Sequence, residues 1–570
     1  MRFINGLIIM LAVASTSAHS PLCEFCKNTQ SFVFDLGARN LEMVLNLASK
    51  VCQIKSSKEL CDYFVGNFGS SIFHNKRNFL EATNYLCANT ITLCSNSFTP
   101  FSVDGFKREV DQRFPRQKNL IYNKIFKRKI QNRPFKALVL NDIHLQSDYK
   151  YKTKAECGLP GGCCSSKFGE AGKSDKQARY WGTPGAPCDA PDYLFYQTIE
   201  FINHELEKPD LVLMLGDNTG HNYFMESEEV LVDSTSVILK KLKKSFPGVP
   251  IVPVLGNHEC HHVDYFDFND KSNFVVEKIY PLFEAVISRE KINDLINNGF
   301  FSQEYTDFNL KVISLNSQIN DAFNIANFSF STFLQEFLYR LAGDLYASEQ
   351  KGQKVIVVSH IPITDYFAID EVNRGLVILL ERFKDSIIGV FSGHTHSDQL
   401  RFIRDSKNDV FMVNYLSPSL TTFASYNPSF RMYEFIDGRL SDYIQYKFNI
   451  DYYNDRADAG IFDFKYDVAY RFTEEYELKD ALPSELQRLF DRLRAKDRAI
   501  VSKYVKNYYC LNENTRTGDL VEIPLCELSD DLNEIMSCMG QLVSGQSQTE
   551  FISLFRALFV GKILVPSGAI

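Results

Sequence analysis

The residues of this chain with the clearest chemical potential are Asp142 and His144. They are separated by one residue in Leu138-Val-Leu-Asn-Asp142-Ile-His144, at the end of a short apolar run. Four later segments share the form: Leu211-Val-Leu-Met-Leu-Gly-Asp217, Ile251-Val-Pro-Val-Leu-Gly-Asn257-His258-Glu259, Val355-Ile-Val-Val-Ser-His360 and Val390-Phe-Ser-Gly393-His394-Thr-His396. Each reads as a buried β-strand that ends on Gly, Ser or Asn and then on Asp, Asn or His. A lone His or Asp is most often structural, but five strand ends of this kind in one chain point to a shared two-metal site. Mixed imidazole and carboxylate ligands suit zinc, iron or manganese. With no thiolate, many imidazoles and an oxidising compartment, two Zn²⁺ ions are expected. Two such ions about 3.5–4 Å apart hold a hydroxide near neutral pH and bind phosphoryl oxygens, offsetting charge as it builds.

Attack at phosphorus runs in line with the leaving group, and the poor alkoxide leaving group of a phosphodiester needs an acid on the far side. His258, next to Asn257, and His221, in Gly216-Asp-Asn-Thr-Gly-His221, are the expected catalytic residues. The competing roles are an orienting hydrogen bond from His258 to the phosphate and a pocket-lining role for His221. His261 and His262 read as surface or pocket-rim residues.

The elements that must position these groups are set by the pattern around them. A chain of 570 residues exceeds one compact core, so several domains are expected. A net charge of 62 − 70 = −8 speaks against a nucleic-acid partner. Residues 136–450 alternate strands with amphipathic helices at 193–207, 228–244 and 332–349, giving an α/β catalytic domain with a sheet core. A polar, Gly- and Pro-rich insertion between Asp148 and Asp192 carries Cys157, Cys163, Cys164 and Cys188. Pairing of the adjacent Cys163 and Cys164 would strain the ring, so Cys157–Cys163 and Cys164–Cys188 are expected.

Residues 1–18 read as a signal peptide, with Arg2, an apolar run at 6–13, and cleavage after Ala14 or Ala18. The run is too short to span a bilayer. In the oxidising compartment this implies, the 14 cysteines are potential disulfide partners. Residues 19–96 form a helical unit with Cys23, Cys26, Cys52, Cys61, Cys87 and Cys94, which alone leave 15 connectivities open. A zinc site or redox pair at Cys23-x-x-Cys26 is disfavoured by the secretory context. Residues 97–135 read as a linker, with prolines and the basic run Lys124 to Lys129. Residues 451–570 return to helical periodicity at Leu486, Leu489, Phe490, Leu493 and Ile500, and one pair is expected among Cys510, Cys526 and Cys538. Cys260 stands as an alternative partner or a free thiol. Arg556 and Lys562 break the apolar tail, which favours a packed helix over a lipid-anchor signal. Asn327-Phe-Ser329 is a glycosylation sequon, provided that it lies on the surface.

The strand-end motifs, in this order, resemble the calcineurin-like metallophosphoesterase superfamily over residues 136–450. That resemblance implies a β-sandwich flanked by helices. It also implies one metal held by Asp142, His144, Asp217 and His396, the other by Asp217, Asn257, His360 and His394, with Asp217 bridging. The N-terminal unit resembles a saposin-type domain, which implies the pairs Cys23–Cys94, Cys26–Cys87 and Cys52–Cys61 and a lipid-handling surface; a stapled helical prodomain without a lipid role is the bland alternative. The whole order resembles the acid sphingomyelinase family. Local matches are Tyr180-Trp181-Gly182 before Cys188, Leu315-Asn316, Pro418-Ser-Leu-Thr-Thr-Phe423, Asn427-Pro428 and Arg431-Met-Tyr433. The resemblance implies hydrolysis of sphingomyelin to ceramide and phosphocholine at acid pH by a secreted or lysosomal monomer, with the saposin-type domain resting on the membrane surface. A phosphodiesterase for nucleotides or other soluble diesters is the alternative enzyme. A lipid-transfer protein with a degenerate catalytic domain is the alternative of another class, against which the complete ligand set speaks.

Overall fold

A computed structural model describes residues 100–116 and 133–510, with breaks at 160, 223–226, 330, 366 and 424, together with most of 522–538 and the single residues 50 and 58. The expected signal peptide, the saposin-type unit with its three disulfides, most of the linker and the tail beyond residue 538 lie outside the described residues.

Fourteen strands are described: β1 Phe135–Leu140, β2 Leu145–Gln146, β3 Ala190–Pro191, β4 Leu211–Met214, β5 Ile251–Pro253, β6 Phe300–Tyr305, β7 Leu310–Leu315, β8 Lys354–Val358, β9 Ile387–Ser392, β10 Gln399–Arg404, β11 Val410–Leu416, β12 Ser429–Ile436, β13 Arg439–Lys447 and β14 Asp467–Arg471. They make two six-stranded sheets, in the orders β14-β13-β12-β1-β4-β5 and β10-β11-β9-β8-β7-β6, and a small β2-β3 pair. Each large sheet has a parallel block: β1-β4-β5 at one side of the first, next to antiparallel β12, and β7-β8-β9-β11 at the centre of the second, between antiparallel β6 and β10. Parallel strands are covered on both faces, which is why β1, β4, β8 and β9 are continuous apolar runs.

The sheets face each other through aromatic side chains. Phe391 of β9 meets Tyr433 of β12 at 4.3 Å between ring centroids, and Tyr415 of β11 meets Tyr443 of β13 at 6.0 Å. Ser314 of β7 donates to the Pro253 carbonyl of β5 at 2.8 Å. Helices at Asp192–Glu205, Glu228–Ser245 and Ser331–Lys351 flank the sandwich, close to the spans expected from apolar periodicity. The fold is thus α/β, a helix-flanked sandwich.

Two elements depart from the domain reading. Within the segment read as linker, Val103–Arg113 is a helix, capped by the Ser102 side chain, that buries Phe106 and Val110. It packs on the helix Asp370–Arg382. One apolar face at four-residue spacing was enough to make it a core element. Beyond the boundary at residue 450, β14 pairs with β13 and completes the first sheet. The helices Pro483–Arg494 and Arg498–Tyr508 then bury the expected Leu486, Leu489, Phe490, Leu493 and Ile500.

The insertion holds the disulfides Cys157–Cys163 and Cys164–Cys188, as expected, around a small core of its own with Ala155, Leu159, Ala178 and Ala186. The C-terminal pair is Cys526–Cys538, and Cys260 and Cys510 are buried free thiols. Asn327 fails the surface condition for glycosylation: it is buried, and its amide donates to the carbonyls of Gln318 and Asp321.

One buried ion pair ties the sandwich to the His394–His396 loop. Arg431 of β12 donates to Asp398 at 2.6 Å and to Gln445 at 2.7 Å, with its guanidinium 4.1 Å over the Tyr443 ring. Arg431→Met would leave Asp398 as a buried carboxylate without its cation. A loss of about 3–5 kcal/mol is expected, read as a lower urea midpoint; a change under about 1 kcal/mol, the usual worth of an exposed pair, would mean that Asp398 is satisfied by other groups.

Candidate metal centre

The carboxyl ends of β1, β4, β5, β8 and β9 converge at one end of the sandwich, the edge of an open α/β sheet where ligands bind. The loop after each carries the residues read from the sequence. Asp217 Oδ2 lies 3.4 Å from His144 Nε2 on one side and 3.1 Å from His360 Nε2 on the other. Around His144, His396 Nε2 approaches its Nε2 to 3.1 Å and Asp142 Oδ1 to 3.6 Å. Around His360, Asn257 Oδ1 stands 2.8 Å from its Nε2 and 3.1 Å from His394 Nδ1. Asp142, His144 and His396 form one group, and Asp217, His360 and His394 another, each with its ligand atoms within 4.8 Å of one another. All seven residues are brought together, and all but the half-buried His394 are buried.

With the imidazoles neutral, these contacts are between acceptors. His144 Nδ1 donates to the Thr219 carbonyl at 2.7 Å, and His360 Nδ1 donates to the Leu215 carbonyl at 2.8 Å. In the neutral ring each Nε2 then presents a lone pair, fixed by the hydrogen bond on the other nitrogen. Lone pairs of His144, His396, Asn257 and Asp217 aimed at one another suit a cation between them and little else. Charge balance agrees. Burial opposes charge on His360, but Asp217 and Asp142 outweigh it and push the ring up to about 10. Burial, with neighbouring Asp217, raises Asp142 to about 7. Burial and the surrounding imidazoles hold His144 and His396 well below the usual histidine range, in the form that binds metal. The residues present fit divalent cations.

The backbone is bent to reach this arrangement. Asp142, His144, Asp217, His394 and His396 all have positive φ, between 44° and 72°. Non-glycine residues there cost on the order of 1–3 kcal/mol each and cluster at functional sites. Two glycines allow the close approach. A Cβ on Gly216 would sit 2.6 Å from Gly256 N, and one on Gly256 would sit 2.1 Å from Asp217 Oδ1.

Over residues 135–398 the chain matches the family described as calcineurin-like phosphoesterase. Those residues form a calcineurin-like metallophosphoesterase domain. It is 27% identical over 385 residues to sphingomyelin phosphodiesterase A of Dictyostelium discoideum, covering 65% of this chain and 62% of that one. It is 30% identical to sphingomyelin phosphodiesterase of Bos taurus, covering 63% and 58%. To the human cyclic GMP-AMP phosphodiesterase SMPDL3A it is 26% identical, covering 58% and 75%. The chain therefore spans about three-fifths of the length of these two sphingomyelin phosphodiesterases.

The two histidines expected to be catalytic stand beside the first group. His221 lies 4.1 Å from His144 between ring centroids, and His258 lies 4.7 Å from both. His221 is fixed on three sides: Asp189 accepts from its backbone N–H at 2.6 Å and from Nδ1 at 2.8 Å, and Phe423 stacks on it at 3.8 Å. His258 donates its backbone N–H to Asp217 Oδ1 at 2.9 Å, and burial lowers its imidazole to about 4. His261 and His262 are half-buried.

Three residues of the site had no role in the sequence reading. Asp189 orients His221, and Thr421 donates to Asp189 at 3.0 Å. Glu259 accepts from the backbone N–H groups of Gly256 at 2.7 Å, Asp217 at 3.0 Å and Asn218. It clamps the loops after β4 and β5 together. A carboxylate directly after Asn257-His258 was the available signal for Glu259, and the residue after a stapling cysteine was the signal for Asp189. Glu259→Ala is expected to weaken divalent-cation binding about 10–100-fold, measured by competition with a chromogenic chelator. Parent-like affinity would show that the ligand loops hold their positions without the clamp.

Proposed function

We propose that this chain is a metal-dependent phosphodiesterase that hydrolyses sphingomyelin to ceramide and phosphocholine. What supports the reading most is the single cluster of acceptors around Asp217, flanked by two histidines and carried on a family domain whose relatives include proteins named sphingomyelin phosphodiesterase. In this reading Asp142, His144, Asp217 and His396 hold one ion. Asp217, Asn257, His360 and His394 hold the other, and both ions are zinc. Bound there, the ions supply charge neutralisation at the phosphoryl oxygens and an activated water.

The chain's own groups do the rest. The carboxylates and imidazoles fix where the phosphorus must sit. His221, with its Nδ1 proton on Asp189, presents Nε2 toward the leaving oxygen. Its stacking on Phe423 limits rotation, which preserves the in-line geometry. His258, buried against His144 and His221, shares the phosphate oxygens or the departing proton.

A lipid substrate, a cysteine-rich N-terminal unit of saposin type resting on the membrane, and a secreted or lysosomal monomer complete the reading. The disulfides of the insertion fit an oxidising compartment. Among the described residues no helix is long and apolar enough to cross a membrane. The similarity to a cyclic GMP-AMP phosphodiesterase favours one second reading, a soluble nucleotide diester as substrate.

The test is hydrolysis of sphingomyelin liposomes at pH 5 beside a soluble nucleotide diester, with the parent, His221→Ala, His258→Ala and Asp189→Asn. Sphingomyelin cleavage is expected, with a loss of about 10²–10⁴-fold on removing the proton-transferring histidine. Asp189→Asn should lower kcat more than it changes KM. Cleavage of the nucleotide diester alone would discard the sphingomyelin assignment and retain the metal chemistry.

A further inference from the structure

Large apolar side chains exposed among the described residues are few, and three of them lie within eleven positions: Tyr452 at 51%, Ile461 at 45% and Phe462 at 54%. Their place in the fold is set by strand register. Val139 of β1 pairs with Arg431 of β12, and Arg431 pairs with Gln445 of β13. The carboxyl end of β13 therefore emerges at the same edge of the sheet as Asp142 and His144. The helix Ile450–Asp458 begins three residues beyond β13, and the 461–462 segment comes directly after it.

This helix is joined to the metal centre through the cysteine-stapled insertion. Tyr151 donates to Asp458 at 2.8 Å, and Arg179 reaches Asp455 at 2.6 Å and Asp458 at 2.9 Å. Asn454 accepts from Trp181 N–H at 2.8 Å and donates to the Gly182 carbonyl at 2.9 Å. Gly182 lies against Thr422, where a Cβ would come within 2.6 Å, and the next residue, Phe423, stacks on His221. The exposed rings rest on a rigid aromatic base: Phe462 on Tyr180 at 4.7 Å, Tyr452 on Tyr453 at 5.0 Å, and Trp181 on Phe464 at 4.8 Å.

The charges around the patch choose the partner. Asp451, Asp455, Asp458 and Asp463 are matched by Lys152, Arg179, Arg456 and Lys465, and several of these are already closed pairs, such as Arg456 on Asp463 at 2.7 Å. A balanced rim offers no attraction to an anionic surface. Tyrosine and phenylalanine rings do suit the amphipathic headgroup zone of a bilayer, and their faces attract quaternary ammonium groups. We propose that Tyr452, Ile461 and Phe462 form a contact for a zwitterionic, phosphocholine-bearing bilayer, seating the phosphoesterase domain itself on the membrane beside its metal centre. The proposal rests on the reading of a bilayer-held substrate.

The experiment uses the full chain and sphingomyelin-free phosphatidylcholine vesicles, so that binding is read without hydrolysis. Partitioning is measured by flotation for the parent, the double variant Ile461→Asp/Phe462→Asp, and Tyr452→Ser. Burial of these side chains predicts about a tenfold loss of partitioning for the double variant and a smaller loss for Tyr452→Ser. Thermal midpoints and hydrolysis of the soluble diester bis(p-nitrophenyl) phosphate should be unchanged. Parent binding should hold between about 0.05 and 0.5 M salt, where screening removes exposed charge attraction, and should not rise with added phosphatidylserine. Parent-like partitioning of folded variants, or parent binding that needs phosphatidylserine and collapses with salt, would overturn the proposal. Loss of partitioning without any sphingomyelin cleavage by the parent would sink the substrate reading alone, and cleavage with unaltered partitioning would sink the patch alone.

Discussion

At the end of the sandwich, imidazole, amide and carboxylate acceptors are pressed into one buried space with their lone pairs facing inward. Left to themselves they repel. His144 and His360 have their other ring nitrogens committed to backbone carbonyls, so neither can rotate away from the cluster. Positive charge relieves the crowding: the carboxylates of Asp217 and Asp142 drive His360 toward its charged form, while burial, with neighbouring Asp217, drives Asp142 toward its neutral one. The arrangement stores a demand for cations in the fold itself.

Meeting that demand shapes the chain at a distance. Parallel strands of two sheets must end at one level, and their loops must turn through left-handed backbone to bring side chains inward. The cost of those turns falls on the rest of the fold: Glu259 gathers three backbone N–H groups, Arg431 anchors Asp398 behind His396, and the carbonyl of Tyr508, at the end of the helix Arg498–Tyr508, accepts from Asp398 N–H at 3.2 Å. The helix that makes this last contact lies well outside the matched family region, so the phosphoesterase fold leans on the helices C-terminal to it. The stapled insertion plays a like part on the other side, delivering Asp189 to His221 immediately after Cys188.

Much of the site was legible because each candidate ligand follows an apolar run, a local pattern that survives without knowledge of strand order. The helices at 192–205, 228–245 and 331–351 were legible for the same reason, as their buried faces repeat at helical spacing. Contact between distant segments was beyond the reach of sequence. Nothing local to Phe423 predicts a ring stacked on His221, and nothing local to Asp467–Arg471 marks it as the sixth strand of a sheet, because pairing partners are set by topology. The helix Val103–Arg113 was hidden by prolines around it. The sequon at Asn327 was misleading for the opposite reason: its three-residue pattern is local, while burial is not.

Anomalous diffraction from crystals of the zinc-loaded protein tests the central claim most directly, since it locates cations without reference to activity. Two peaks about 3.5–4 Å apart, with an oxygen of Asp217 between them and His144 and His360 on opposite sides, are the predicted result. A single peak, or a pair that leaves Asp217 out, would contradict the shared-carboxylate centre.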